Sequence, residues 1–244
     1  MLIKKKKTRS HTEDRSLALF LATSAGVLNA MAFGAFGFFP SHMTGNASQI
    51  STEVPGAEYH DLLFLAVLIT AFIVGSTTAR LLVITGLKRN LRTIFCLILL
   101  AEGVILTLTS LFETVFYSSK NNGEVLVLLG FLMGIHNSTS TQLSNGRVRS
   151  THVTGTLTDA GIAFGSYLSS FVSAVKAGER HFYQKQLHTH LTTIASFLTG
   201  CIAGFLLFSS FGFRAMIPLG LVLVLVALST IAMTLHTTKA RKII

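Results

Sequence analysis

Residues 62–85 read LLFLAVLITAFIVGSTTARLLVIT, and this stretch decides the class of the fold. Arg80 is its only charged residue. An α-helix needs about 20 predominantly apolar residues to cross the hydrocarbon core of a bilayer. Long runs with almost no charge are typical of such helices. The sequence therefore predicts that this segment lies in a membrane.

The rest of the chain has the same character. Half of the 244 residues are apolar, only 12% are charged, and the mean hydropathy is +0.61. A soluble domain usually carries about 25% charged residues. Five further apolar segments extend over residues 16–39, 93–116, 125–141, 191–211 and 213–235. We therefore predict an all-α, polytopic transmembrane helix bundle with about six spans, the last two forming a tight hairpin.

The basic residues predict the orientation of these spans. With the N-terminus in the cytoplasm, 18 of the 20 Lys and Arg residues fall on the cytoplasmic side, and only Lys120 and Arg214 fall outside. Cytoplasmic loops of membrane proteins carry such an excess. We expect cytoplasmic termini with basic tails at 1–15 and 237–244. The net charge of +10 is then explained by this orientation in the lipid bilayer, with binding of anionic lipid as a secondary role, and requires no nucleic-acid partner.

Two halves of the chain resemble each other. Gly26 and Asn29 are followed by the first motif, residues 41–46 (SHMTGN). Gly134 and Asn137 are followed by the second motif, residues 151–156 (THVTGT). A further match pairs residues 72–75 (FIVG) with 197–200 (FLTG). The order of these matches predicts an ancient duplication into two three-span repeats, residues 16–117 and 118–236.

Because three is an odd number, the second repeat must enter the membrane in the opposite orientation. Inverted repeats of this kind are the plan of many secondary transporters. Residues 154–175 contain Asp159 and many small polar side chains, so we interpret them as a re-entrant or interfacial helix. The threonine of each Thr-Gly pair is expected to cap the helix that follows it.

Polar groups inside a bilayer are costly and need a reason. Glu102 lies within the third span, where it could couple transport to protons or could simply pair with Arg92 or a histidine. His42 and His152 could relay protons or bind substrate, or could be ordinary capping or packing residues. The candidates for a substrate path are polar or small residues of the spans and motifs: Asn29, His42, Thr44, Gly45, Asn46, Glu102, His136, Asn137, His152, Thr154, Gly155, Thr156 and Asp159.

Small residues suggest where helices pack. The spacings Gly200-x-x-x-Gly204 and Gly161-x-x-x-Gly165 are typical of closely packed membrane helices. Cys96 and Cys201 lie in apolar blocks and are interpreted as small buried hydrophobic residues. No ligand spacing suggests a metal, no motif suggests a cofactor, and none of the familiar catalytic motifs occurs.

These motifs resemble the YoaK-type family of bacterial membrane proteins, a domain of unknown function with about six predicted spans. The resemblance covers residues 16–235 and rests on Gly26, Asn29, His42, Thr44, Gly45, Asn46, Asn137, Thr154, Gly155 and Thr156. The chain departs from the family pattern at His136, where glutamine is expected, and by an insertion at 176–188. The resemblance implies a multi-pass protein of the bacterial inner membrane and supplies no substrate.

The sequence thus favours a small secondary transporter or channel for a polar or anionic solute, with proton or ion coupling, and not an enzyme. Helix N-termini at the two Thr-Gly pairs would attract an anion. The alternative is a membrane scaffold, sensor or assembly factor that transports nothing. A membrane enzyme acting on lipid through Glu102 and the histidines is a third hypothesis.

Overall fold

A computed structural model describes residues 10–54, 59–172 and 177–240, and all regular structure in those ranges is helical. Most of the predicted basic tails, including the Lys residues at 4–7, lie outside these ranges. Each of the six predicted spans overlaps one helix, and the two motifs begin two further helices. The α-helices are α1 (His11–Phe36), α2 (Met43–Glu53), α3 (Tyr59–Lys88), α4 (Ile94–Phe116), α5 (Asn122–Ser144), α6 (Val153–Val172), α7 (Ala177–Phe211) and α8 (Met216–Ala240).

Four segments of the described chain are long and apolar enough to cross a membrane. They are His11–Phe36, Tyr59–Lys88, Ile94–Phe116 and Gly178–His236. The last contains α7 and α8, which a short 3-10 turn at Gly212–Ala215 joins into the predicted hairpin. The remaining predicted span, α5, is not among the four. Its last third, residues 136–144 (HNSTSTQLS), is mostly polar.

Local sequence sets both ends of α1. Ser10 and Glu13 form a capping box, in which the Glu13 amide donates to Ser10 Oγ at 3.2 Å and the Ser10 amide donates to Glu13 Oε2 at 3.0 Å. Such a box satisfies amides that have no partner within the helix. The helix ends at Gly37, whose φ of +74° lies in the left-handed region that glycine tolerates best. It therefore stops before residue 39, where the predicted span ended.

Glycines bring helix backbones into direct contact at two crossings. Where α1 meets α7, a Cβ on Gly26 would overlap the carbonyl oxygen of Phe197, and one on Gly200 would overlap that of Thr23. Where α3 meets α5, the same holds for Gly134 against Phe72 and for Gly75 against Phe131. Small residues permit this close approach of membrane helices.

The contacts of the two crossings fall at aligned positions. The sequence matches align Gly26 with Gly134, which begin the two Gly-x-x-Asn elements. They also align the FIVG segment at 72–75 with the FLTG segment at 197–200. Every partner in one crossing then has its aligned counterpart in the other. The aligned pairs are Thr23 with Phe131, Gly26 with Gly134, Phe72 with Phe197 and Gly75 with Gly200.

In the third large helix pair, α4 with α8, one glycine of each helix faces the backbone carbonyl of the other. A Cβ on Gly103 would lie 2.8 Å from the carbonyl oxygen of Gly220, and one on Gly220 would lie 2.9 Å from that of Gly103. The rings of Tyr117 and Phe213 meet at one end of this pair, with 5.3 Å between centroids. Gly103 contacts Gly220, whereas Tyr117, which follows Gly103 in the chain, contacts Phe213, which precedes Gly220. The two helices are therefore antiparallel.

The directions of the other helices follow from their contacts. Along α1, His11 contacts Thr189 and Gly34 contacts Phe208, so α1 and α7 are parallel. Along α3, Leu68 contacts Gly130 and Arg80 bonds to Gln142, so α3 and α5 are also parallel. In contrast, α1 and α5 are antiparallel. Leu21 meets His136, and Asp14, further back on α1, meets Arg147 beyond the end of α5.

The prediction of close packing from glycine spacing is right in one case and wrong in the other. Gly204 packs directly against the Val27 backbone, as Gly200 does against Thr23. A Cβ on Gly161 or Gly165 would meet nothing within 4 Å. These two glycines lie on an open face of α6, because α6 packs against α7 through its opposite side.

Helix α7 begins much earlier than predicted. It extends over 35 residues from Ala177, so residues 177–190, which precede the predicted span at 191–211, are helical. Its first half runs antiparallel to α6. The Arg180 guanidinium lies 4.4 Å from the Phe171 ring centroid and donates through Nη2 to the Ser170 carbonyl at 2.7 Å.

Candidate functional site

Glu102 of α4 and His136 of α5 form a buried polar pair inside the helix bundle, called the buried pair below. Both side chains are 1% exposed, and His136 Nδ1 lies 2.6 Å from Glu102 Oε1. The other ring nitrogen, Nε2, lies 2.9 Å from the carbonyl oxygen of Leu21 in α1. The buried pair therefore joins three helices. Of the partners predicted for Glu102, the histidine is right and Arg92 is wrong.

The contacts of His136 define where protons reside. A carbonyl oxygen only accepts hydrogen bonds, so Nε2 carries a proton. One further proton lies between Nδ1 and Oε1, on the imidazole or on the carboxyl group. Either placement leaves the buried pair with no net charge. Losing this proton would leave a buried negative charge, which is costly in a medium of low polarity. The arrangement can therefore hold one exchangeable proton.

The second carboxylate oxygen of Glu102 is incompletely satisfied. Oε2 is buried and has no hydrogen-bond partner among the described residues. Buried polar atoms without a partner are rare in proteins and costly. Oε2 is thus available to accept a hydrogen bond from a water molecule or from a donor group of a solute.

The paired asparagines anchor the chain just before each motif helix. Asn29 Oδ1 accepts from the Ser41 amide at 3.1 Å and from Ser41 Oγ at 2.7 Å. Asn137 Oδ1 accepts from the Thr151 amide at 3.5 Å. Ser41 and Thr151 occupy the same position in the two motifs, so the two asparagines accept equivalent backbone hydrogen bonds in the two halves.

The two motif histidines also take matching positions. The ring of His42 covers Gly45, and the ring of His152 covers Gly155, so closely that a Cβ on either glycine would overlap it. The carbonyl groups of these histidines accept the amides of Asn46 and Thr156, at 3.0 and 3.1 Å. Both histidines are exposed, whereas Asn46 and Thr156 are buried.

The expected capping role of the motif threonines is wrong. Thr44 and Thr154 each lie in the first turn of a helix, after its first residue, and both are exposed. At α2 the N-cap position belongs to His42, which makes no side-chain capping bond. In each motif the first hydrogen bond of the helix is accepted by the backbone carbonyl of the histidine. A rule that looks for a capping threonine side chain does not detect this arrangement.

The structure does not bring the two motifs into one site. Helix α2 packs against α3, whereas α6 packs against α7. Asn137 adjoins His136, which lies level with Leu21, but Asn29 is eight residues further along α1. That distance is about 12 Å along a helix. The motifs therefore lie at different depths of the bundle.

Asp159 lies on α6, three residues after the second motif. It lines a cavity of about 470 Å³ together with residues of α1, α7 and the α5–α6 connection. Near this cavity, Asp14 is completely buried and pairs with Arg147 Nε at 2.6 Å. Sequence reasoning missed Asp14 as a structural residue and used Arg147 only to orient the spans. The one available signal was an acidic residue near the start of an apolar helix.

Comparison with known protein families gives a match over most of the chain. The profile of a family described as a protein of unknown function (DUF1275) matches residues 17–229. The chain belongs to the DUF1275 family. The matched range includes the buried pair, both motifs and the glycine contacts of all three helix pairs. No curated protein and no solved structure matches the chain.

Proposed function

We propose that this DUF1275 protein is a small proton-coupled secondary transporter for a polar or anionic solute in the bacterial inner membrane, and not an enzyme. Its six spans would be α1, α3, α4, α5, α7 and α8. They would form two inverted three-span repeats, residues 16–117 and 118–236, with both termini in the cytoplasm.

The matched packing of the two halves carries this proposal. The crossing of α1 with α7 repeats at aligned glycines in the crossing of α3 with α5. The corresponding helices α1 and α5 are antiparallel, as are α4 and α8. A two-fold axis within the membrane plane would produce both features. Transporters with this symmetry expose a central site alternately by rocking one half against the other.

The buried pair supplies the coupling group. It joins α1, α4 and α5 and therefore involves both halves. Taking its proton would leave a negative charge among apolar helices, so proton loss favours a conformation in which water or a solute reaches Glu102. Ionisable residues inside membrane helices commonly mark such proton relays.

Flux measurements test the proposal. Purified protein is reconstituted into liposomes that contain a pH-sensitive dye, and a panel of solutes is added outside: phosphate, sulfate, chloride, mono- and dicarboxylates, and amino acids. We expect one chemical class to change the internal pH. Glu102→Gln keeps the shape of the side chain but removes its charge, and should slow this flux by about 100-fold.

Glu113→Gln is the matched control, because Glu113 is also a buried carboxylate on α4 but lies eleven residues further on. Its flux should stay within about twofold of wild type, well below the effect expected at a coupling group. Two results would overturn the proposal: no solute of the panel moves in wild-type liposomes, or both variants transport equally well. In the first case, a partner recovered by crosslinking would support the scaffold or sensor alternative.

A further inference from the structure

The cavity that contains Asp159, called the α6–α7 cavity below, has a volume of about 470 Å³. Its walls come from the start of α1, the α5–α6 connection, α6 and the first half of α7. This volume is within the range of small-molecule sites, about 300–1,000 Å³. The charged or hydrogen-bonding side chains that matter here are His11, Arg147, Arg149, Asp159, Gln186 and His190.

Two opposite charges in this cavity, Arg149 and Asp159, form no direct contact with each other or with another charged side chain, although Asp159 acts electrostatically on His190. Arg149 and Asp159 are exposed, and neither forms a hydrogen bond or ion pair with another residue of the described ranges. His190 Nδ1 is buried and likewise has no hydrogen-bond partner in that part of the chain. The cavity is therefore lined by a guanidinium, a carboxylate and an imidazole nitrogen that form no hydrogen bond within the described ranges.

Neighbouring contacts hold these groups in place. Arg147 is fixed by its ion pair with Asp14, which ties the α5–α6 connection to the start of α1. His11 Nδ1 lies 3.2 Å from Thr189 Oγ1, which ties the same end of α1 to α7. The cavity is thus built on ordered helix ends, and preorganised groups bind a ligand at lower entropic cost than mobile ones.

We propose that the α6–α7 cavity binds a small organic anion that also carries an ammonium group. The anionic group would lie at Arg149, whose planar guanidinium suits carboxylate and phosphate groups. The ammonium group would lie at Asp159. A simple anion would be repelled by this carboxylate, so the pair of opposite charges selects a ligand with both signs.

This inference deepens the proposed function, because it makes such zwitterions the transported solutes. The same chemistry occurs in the phosphate and ammonium groups of an ethanolamine phospholipid. Binding is therefore measured first in detergent, without phospholipid, and then in nanodiscs with either choline or ethanolamine headgroups. Competition by ethanolamine nanodiscs alone would assign the cavity to a lipid headgroup and overturn its role as the solute site.

Calorimetric titration uses four probes: phosphoethanolamine, serine, inorganic phosphate and succinate. We expect the two ammonium-bearing probes to bind about tenfold or more tightly than the two plain anions. Arg149→Gln should weaken the ammonium-bearing probes by about tenfold or more, since a charge-assisted bond is lost. Asp159→Asn should remove the preference for them. Both residues are exposed, so neither change should prevent folding.

Arg92→Gln is the matched control, because Arg92 is exposed in the α3–α4 connection and does not line the cavity. Equal binding of all four probes to wild type, or equal loss of binding in Arg92→Gln and Arg149→Gln, would overturn the inference. Glu102→Gln should bind the probes like wild type. Failure of flux with intact binding would therefore contradict the proposed function, whereas failure of binding with intact flux would contradict only the assignment of this cavity.

Discussion

At the scale of single residues, the buried pair combines two groups that are each costly alone. His136 has partners at both ring nitrogens, and its Nδ1 partner is a carboxylate that is equally buried. Removing one member leaves the other unpaired, whereas removing both leaves neither side chain unpaired. Breaking buried pairs costs about 3–5 kcal/mol, but replacing both partners is often nearly neutral.

We therefore expect Glu102→Leu and His136→Leu each to destabilise the protein by about 3 kcal/mol. The double variant should be more stable than either single variant. Thermal unfolding of the purified proteins in one detergent measures all three differences. Additive losses would show that the two side chains do not depend on each other, and would contradict the geometry described above.

At the scale of helices, aligned glycines determine how closely the bundle packs. The apolar runs and the Gly-x-x-x-Gly spacing at 200–204 could be read directly from the sequence. The same spacing at 161–165 predicts close helix packing that the structure does not show, since those glycines face open space. Spacing alone places two glycines on one face of a helix. Whether a second helix lies against that face depends on the rotation of the helix in the bundle.

The substitution of glycine by alanine should therefore have different effects on stability at the packed glycines and at those that face open space. Gly26→Ala and Gly134→Ala each place a methyl group against a backbone carbonyl of the neighbouring helix, which cannot move aside cheaply. Each should cost about 1–3 kcal/mol of stability, as overpacking usually does. Gly161→Ala is the matched control and should be neutral or stabilising by up to about 1 kcal/mol, because alanine favours helices.

Unfolding temperatures of these three variants would test the packing. Equal destabilisation in all three would mean that α6 is covered by another helix. A stable Gly26→Ala variant would mean that α1 and α7 do not touch through their backbones.

At the scale of the whole molecule, the proposed inverted repeat predicts that the two motifs face opposite sides of the membrane. Thr44 and Thr154 are suitable probes, because they occupy the same position in the motifs and both are exposed. Asn46 and Thr156 would be poor choices, since both are buried. The native thiols, Cys96 and Cys201, would first be replaced.

A membrane-impermeant thiol reagent should label Thr44→Cys from outside intact cells and Thr154→Cys only in inverted membrane vesicles. The basis is the strong bias of basic residues toward one side. Labelling of both positions from the same side would refute the inverted repeat and remove the main support for a transporter. A third cysteine at Lys120, on the predicted outer side, would report whether the vesicles are sealed.

The sequence by itself determined that the chain is a bundle of apolar helices and that its halves match. Both properties belong to the chain locally: the length of an apolar run, and the recurrence of Gly-x-x-Asn before a His-x-Thr-Gly motif. It also placed most of the helices, although not the early start of α7.

Only the tertiary structure decided which histidine pairs with Glu102, which glycines touch a neighbouring helix, and that Arg147 pairs with Asp14. These contacts join residues far apart in the chain. They depend on the rotation and register of packed helices, which the energy of the whole bundle sets. No short segment of sequence contains that information.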